Sequence, residues 1–125
     1  MIRNVSLVSD DSVVVECVER YCSDLGLNLL TLSSTDDLFS SLRKQLPDLL
    51  IIDFVLDDIN GGGLCHQFKC DPLFQDLPIA ILSDVYGLER LAPKFGCSYL
   101  LAKPLAANKF SELLEKVGNT ELQNL

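Results

Sequence analysis

Residues 48–53 read DLLIID, and the longer stretch LIIDFVLDD at 50–58 sets apolar side chains on both sides of Asp53. A near-continuous apolar run of this length marks a strand covered on both faces, as in a parallel sheet. An ionised carboxylate is costly to bury without partners, so the acid closing that run calls for a cation or hydrogen-bond donors.

The same grammar extends in both directions. Upstream, NVSLVS at 4–9 is a short strand followed at once by Asp10 and Asp11. From Ser12 to about Leu25, the residues Val14, Val18, Tyr21 or Cys22, and Leu25 recur at helical spacing, and Gly26 supplies the stop. LNLLTLS at 27–33 returns to strand character. SSTDD at 33–37 then offers capping hydroxyls and first-turn acids to a helix whose buried stripe is Leu38, Phe39, Leu42 and Leu46, ending at Pro47.

Downstream of Asp53, a polar loop through DDINGGG leads to a short helix around 62–70 with Leu64 and Phe68 inward, broken by CDPLFQDLP. PIAILS at 78–83 is the fourth strand. The stretch 84–96 predicts a weak helix, interrupted by Gly87 and Pro93, with Leu88, Leu91 and Phe95 as its stripe. SYLLA at 98–102 is the fifth strand, and 105–117 carries Phe110, Leu113, Leu114 and Val117 on one helical face before a polar end, GNTELQNL. Five alternations of strand and helix in 125 residues imply one α/β domain: a parallel sheet with helices on both faces and right-handed crossovers.

Composition agrees, since 48% hydrophobic and 22% charged residues suit one domain with a real core. No run reaches the roughly 18 apolar residues of a membrane span, and the first residues lack the pattern of a secretory signal. The expectation is a soluble, cytoplasmic protein without membrane association. Cysteines at 17, 22, 65, 70 and 97 fall mostly in apolar periodic segments and read as small buried hydrophobes in a reducing compartment. CHQFKC at 65–70 resembles a metal cluster only superficially, because a spacing of five turns Cys65 and Cys70 apart on a helix. That leaves core thiols and a surface His66. The net charge of −8 argues against binding nucleic acid and fits a cation site better.

In an open parallel sheet, ligand chemistry collects beyond the carboxyl ends of the strands. Here the first strand ends in Asp10 and Asp11, the third in Asp53, the fourth in Ser83 and Asp84, and the fifth in Lys103. Clustered carboxylates repel one another unless a positive charge sits among them, and a hard divalent cation with oxygen ligands answers this. Mg²⁺ suits best, keeping several waters and taking one or two carboxylates. Lys103 can meet one phosphoryl oxygen and Ser83 another. The set is suited to holding a phosphoryl group.

Taken together, LVSDDS at 7–12, PDLLIID at 47–53, Asn60-Gly61, PIAILSD at 78–84 and YLLAKPL at 99–105 resemble the motifs of CheY-like receiver domains of two-component response regulators. The resemblance covers residues 3–118 and is drawn as a receiver domain over 1–118, with 119–125 as a polar tail or the start of a linker. It implies the flavodoxin-like (βα)5 three-layer sandwich with sheet order 2-1-3-4-5. It also implies roles: Asp53 as phosphoacceptor toward a phosphohistidine, and Ser83 and Lys103 on the phosphoryl oxygens. Mg²⁺ is then held by Asp11, Asp53 and the backbone carbonyl of Val55, with Asp10 acting mainly through water. The Lys103–Pro104 bond is expected to be cis. The implied partners are a sensor histidine kinase or phosphotransfer protein and a downstream output domain or target, with homodimerisation left open. Such a domain is a phosphoacceptor in signalling, at most catalysing its own phosphorylation and dephosphorylation.

Three positions depart from the family pattern. Asp84 stands where a small residue usually follows the Ser or Thr, and Leu100 stands where many receivers carry a switchable aromatic. Tyr99 is one place early, which points it to the opposite face of its strand. Asp57 stands where the family often has Pro. Two readings follow: a phosphorylatable receiver, or a degenerate receiver that keeps the fold as a phosphorylation-independent interaction module. A flavin binder would want a phosphate-cradling loop where SDDS stands, and a phosphohydrolase would want an acid at Val55.

Overall fold

The computed structural model describes residues 2–33, 38–53, 66–84 and 99–123, with side chains of the last segment described through Gly118. Five strands, β1 (Asn4–Val8), β2 (Asn28–Leu32), β3 (Leu49–Asp53), β4 (Ile79–Ser83) and β5 (Tyr99–Ala102), form one sheet in the order β2-β1-β3-β4-β5. Every pairing is parallel. The order and fold class expected from the sequence are those observed.

Among the described residues three helices accompany them, α1 (Ser12–Leu25), α2 (Leu38–Lys44) and α3 (Ala107–Gln123), with one further helical turn at 66–69. Asp11 caps α1, its carboxylate accepting the Val13 N–H at 2.9 Å. Gly26 ends α1 in the left-handed region at φ 70°, its N–H reaching the carbonyls of Cys22 and Ser23. Only glycine takes that conformation without steric cost, which is why the helix stops there. Among the described residues, no helix is long and apolar enough to cross a membrane.

The period-two alternation of the central strands divides the core between two faces. Leu7, Leu49, Ile51, Ala80 and Leu82 pack with Val14, Val18 and Cys22 of α1 and with Phe110, Leu113 and Val117 of α3. On the other face Val8, Leu50, Ile52, Ile79 and Ile81 pack with Leu38 and Leu42 of α2 and with Phe68, Phe74 and Leu77. Phe68 anchors that side, with ring centroids 4.7 Å from Phe39 and 5.2 Å from Phe74. Both β3 and β4 are buried along their whole length, so their carboxyl ends are held rigidly. At the amino end of the sheet, Asp48 accepts the backbone N–H groups of Arg3 and Asn4 at 2.9 Å each, pinning the register of β1 against β3.

Several local expectations are corrected. Leu46 is 46% exposed and Leu25 49% exposed, because α2 ends at Lys44 and α1 ends at Leu25 itself. Cys22 is buried as expected, but Cys17 is half-buried and Cys70 is exposed. The helix read as 105–117 starts at Ala107 and runs to Gln123, passing through Gly118. A helical glycine costs about 1 kcal/mol relative to alanine, too little to end a helix already anchored by Phe110, Leu113 and Val117. The loop through 54–65 with Leu64 and Asp57, the capping acids at 36–37, most of the weak helix at 84–96, and Cys65 and Cys97 lie outside the described residues.

Two outcomes follow from this packing. Ile51→Ala is expected to destabilise the domain by about 2–5 kcal/mol in denaturant titrations, whereas Leu73→Ala at an exposed turn stays within about 0.5 kcal/mol of the parent. Burial pushes the Cys22 thiol up from its usual 9.0 to about 11. The folded state therefore keeps a proton that the unfolded chain gives up first, so this contribution is complete below pH 9 and is lost as pH rises toward 11. The alkaline fall in thermal stability is expected to be shallower in Cys22→Ala.

Candidate functional site

Asp53 is 1% exposed at the carboxyl end of β3, and both of its oxygens are engaged. Lys103 Nζ donates to Oδ1 at 2.8 Å, and Ser9 Oγ donates to Oδ2 at 2.9 Å. The ammonium supplies the opposite charge that a buried carboxylate needs, and the hydroxyl satisfies the other oxygen. Among the described residues, no buried side-chain nitrogen or oxygen lacks a hydrogen-bond partner.

Each member is aimed by its strand. Val8 pairs with Ile52, so Ser9 falls opposite Asp53 one step further along the same ladder. Asp53 pairs with Leu82, and Ser83 pairs with Ala102, so Ser83 and Lys103 follow on neighbouring strands. The Lys103 N–H continues this ladder to the Ser83 carbonyl at 2.9 Å. Ser83 is 6% exposed. The Lys103–Pro104 bond is cis, as expected. The turn after it is fastened to α1 through the Leu105 carbonyl, which accepts from Tyr21 Oη at 2.7 Å and from Cys17 Sγ at 3.4 Å.

Ser9 was not singled out in the sequence, and it is the residue that joins the acidic turn to Asp53. Its hydroxyl donates to Asp53 and also accepts the Asp11 N–H at 3.1 Å. Its sequence signal is positional: it is the first residue past β1, where parallel pairing puts it beside the end of β3. Asp11 is half-buried at the N-terminus of α1, while Asp10 and Asp84 are exposed. Asp11, Asp84 and Lys103 line one cavity of about 260 Å³ between α1 and the ends of β4 and β5. A larger hollow of about 520 Å³ lies along β5 and α3, and its described lining includes none of the predicted site residues. Val55 lies outside the described residues.

The donor set is all oxygen. Among the described residues each Asp53 oxygen has one partner, a carboxylate oxygen can accept a second hydrogen bond, and Asp11 stands at the same rim. Among the described residues, no three His, Cys, Asp or Glu side chains form a metal-holding group. An all-oxygen set of this kind is the chemistry of a water-rich Mg²⁺ bound through one or two carboxylates.

Comparison with known proteins gives a consistent picture. Residues 5–115 match the sequence profile of the response regulator receiver domain. The chain is 30% identical over 122 residues to the transcriptional regulatory protein GltR of Pseudomonas aeruginosa, covering 92% of this chain and 47% of that protein. The structure is similar to a candidate response regulator from Chloroflexus aurantiacus, with a TM-score of 0.86, 26% identity, and coverage of 94% of this chain and 98% of the other. It also resembles the receiver domain of a sensor histidine kinase from Pseudomonas aeruginosa PAO1, described with a magnesium ion coordinated in its active-site cleft. There the TM-score is 0.82 at 20% identity, covering 94% of this chain and 99% of the other. The chain spans between about one eighth and just over half the length of the first curated relatives it matches.

The pairing at Asp53 has a direct energetic consequence. Lys103→Met leaves a buried carboxylate without its cation and is expected to cost about 3–5 kcal/mol, while Ser9→Ala costs about 1–3 kcal/mol. Adding Asp53→Asn to Lys103→Met is expected to restore stability, because the unpaired charge is then gone. A Lys103→Met protein as stable as the parent in urea titrations contradicts the pairing.

Proposed function

The chain belongs to the response regulator receiver domain family, and we propose that it accepts a phosphoryl group on Asp53 with Mg²⁺ and so switches a protein–protein interaction. The observation that carries this reading is the buried Asp53 carboxylate held by Lys103 at 2.8 Å at the strand-end rim. Receiver domains are signalling domains, which partner with histidine kinases and output domains in two-component systems. The donor assigned here is a histidine kinase or phosphotransfer protein, and the setting is cytoplasmic. The receiver unit is assigned to residues 1–118.

In this scheme an Asp53 oxygen attacks the phosphorus of a phosphohistidine. The new O–P bond forms as the P–N bond breaks, and the imidazole leaves with its electron pair, giving an acyl phosphate. Lys103 Nζ follows the charge from the carboxylate to a phosphoryl oxygen, and the Ser83 hydroxyl donates to another. Asp11, Asp53 and the backbone carbonyl of Val55 would hold Mg²⁺, with Asp10 acting through water, and when bound the ion would supply positive charge to a crowded set of carboxylates. The magnesium described in the sensor-kinase receiver domain supports this assignment by analogy.

A second reading, a degenerate receiver acting as an interaction module without phosphate, has its own support. Asp84 is exposed and lines the same cavity as Asp11 and Lys103, adding negative charge where an anionic donor must approach. Leu100 packs toward the face of α2, while Tyr99 packs toward the face of α1 and α3, so no aromatic stands at the switch position.

The two readings separate on incubation with Mg²⁺ and acetyl phosphate. The first expects a phosphate-sized mass gain that Asp53→Asn abolishes and that Asp84→Ala accelerates. No gain under conditions that label a control receiver overturns it and leaves the second.

A further inference from the structure

His66 and Cys70 take no part in the chemistry at the rim. Cys70 precedes the turn that leads into the amino end of β4, whereas the acids lie at the carboxyl ends of the strands. The sequence pairing of Cys65 with Cys70, five apart, sets those two away from each other. The structure instead brings together the two residues four apart: both are exposed, and Cys70 Sγ lies 3.7 Å from His66 Nε2. Residues at this spacing share one helix face.

That separation has a chemical meaning. A tetrahedral metal with bonds of about 2.3 Å to sulfur and about 2.0–2.1 Å to nitrogen sets those two ligand atoms about 3.6 Å apart. The pair therefore already stands at the edge length of such a site. The turn that carries it is well fastened. Phe68 is fully buried beneath it, and the Cys70 N–H closes on the His66 carbonyl at 3.1 Å. Lys69 Nζ reaches the carbonyls of Leu77 at 2.6 Å and Gln75 at 3.2 Å. Asp71, next along the chain, has its carboxylate turned to Arg43 and to the Leu73 N–H.

We propose that His66 and Cys70 form a two-residue binding site for a thiophilic divalent cation such as Zn²⁺. Imidazole and thiolate are the ligands Zn²⁺ prefers, and the net charge of −8 favours approach of a cation. Among the described residues, no third His, Cys, Asp or Glu completes a group, and the proposal assigns the remaining positions to water. On binding, the Cys70 sulfur gives its thiol proton to solvent as the metal–sulfur bond forms, while the imidazole binds as the neutral ring.

Titration of the reduced chain with Co²⁺ tests this, because a thiolate bound to Co²⁺ gives a near-ultraviolet charge-transfer band. The expected result is a band that saturates at one equivalent, is displaced by Zn²⁺, disappears in His66→Ala and in Cys70→Ser, and persists in Cys65→Ser and Asp53→Asn. His66 and Cys70 are exposed, so circular dichroism of His66→Ala and Cys70→Ser is expected to match the parent. Absence of the band in the parent overturns the proposal. So does its survival in His66→Ala or Cys70→Ser, or its loss in Cys65→Ser or Asp53→Asn.

Discussion

A carboxylate in a nearly dry place constrains the rest of this molecule. Asp53 closes a strand that is buried along its length, and it stays there because an ammonium and a hydroxyl from two other strand ends converge on it. Those partners can meet only if β1, β3 and β5 keep their registers. The sheet order is therefore tied to the site, since β1 and β4 must flank β3 for Ser9 and Ser83 to arrive beside Asp53.

Much of this was legible in the sequence. Period-two alternation and uninterrupted apolar runs identified all five strands, and Gly26 marked the end of α1. Asp53, Ser83 and Lys103 were legible because each ends a strand, and strand ends in parallel sheets share a rim. Ser9 was not, because a serine beside two aspartates reads as turn chemistry until the pairing of Val8 with Ile52 places it against Asp53. Leu25, Leu46 and Cys70 were misread for a simpler reason. Helical periodicity was extended into the last turn or beyond the end, where a side chain has no neighbouring layer to cover it.

The acids at the rim are not equivalent. The carboxylate of Asp53 lies between two donors, and that of Asp11 is engaged in capping α1 while it lines the cavity beside Lys103. Asp10 and Asp84 remain exposed. On the proposed reading the interior acid is the acceptor, and the outer ones set the charge that an incoming anion meets. Leu100 belongs to the other half of the same question, since it leaves the α2 face of β5 aliphatic where an aromatic could report the state of the rim.

The buried carboxylate at the end of β3 is the group we propose carries phosphate. The most direct test is to treat the protein with Mg²⁺ and a small phosphodonor, trap any acyl phosphate with borohydride, and map the reduced residue by peptide mass spectrometry. Conversion of Asp53 to homoserine, and of no other acid, is the expected result. Reduction at Asp10, Asp11 or Asp84, with Asp53 untouched, contradicts it.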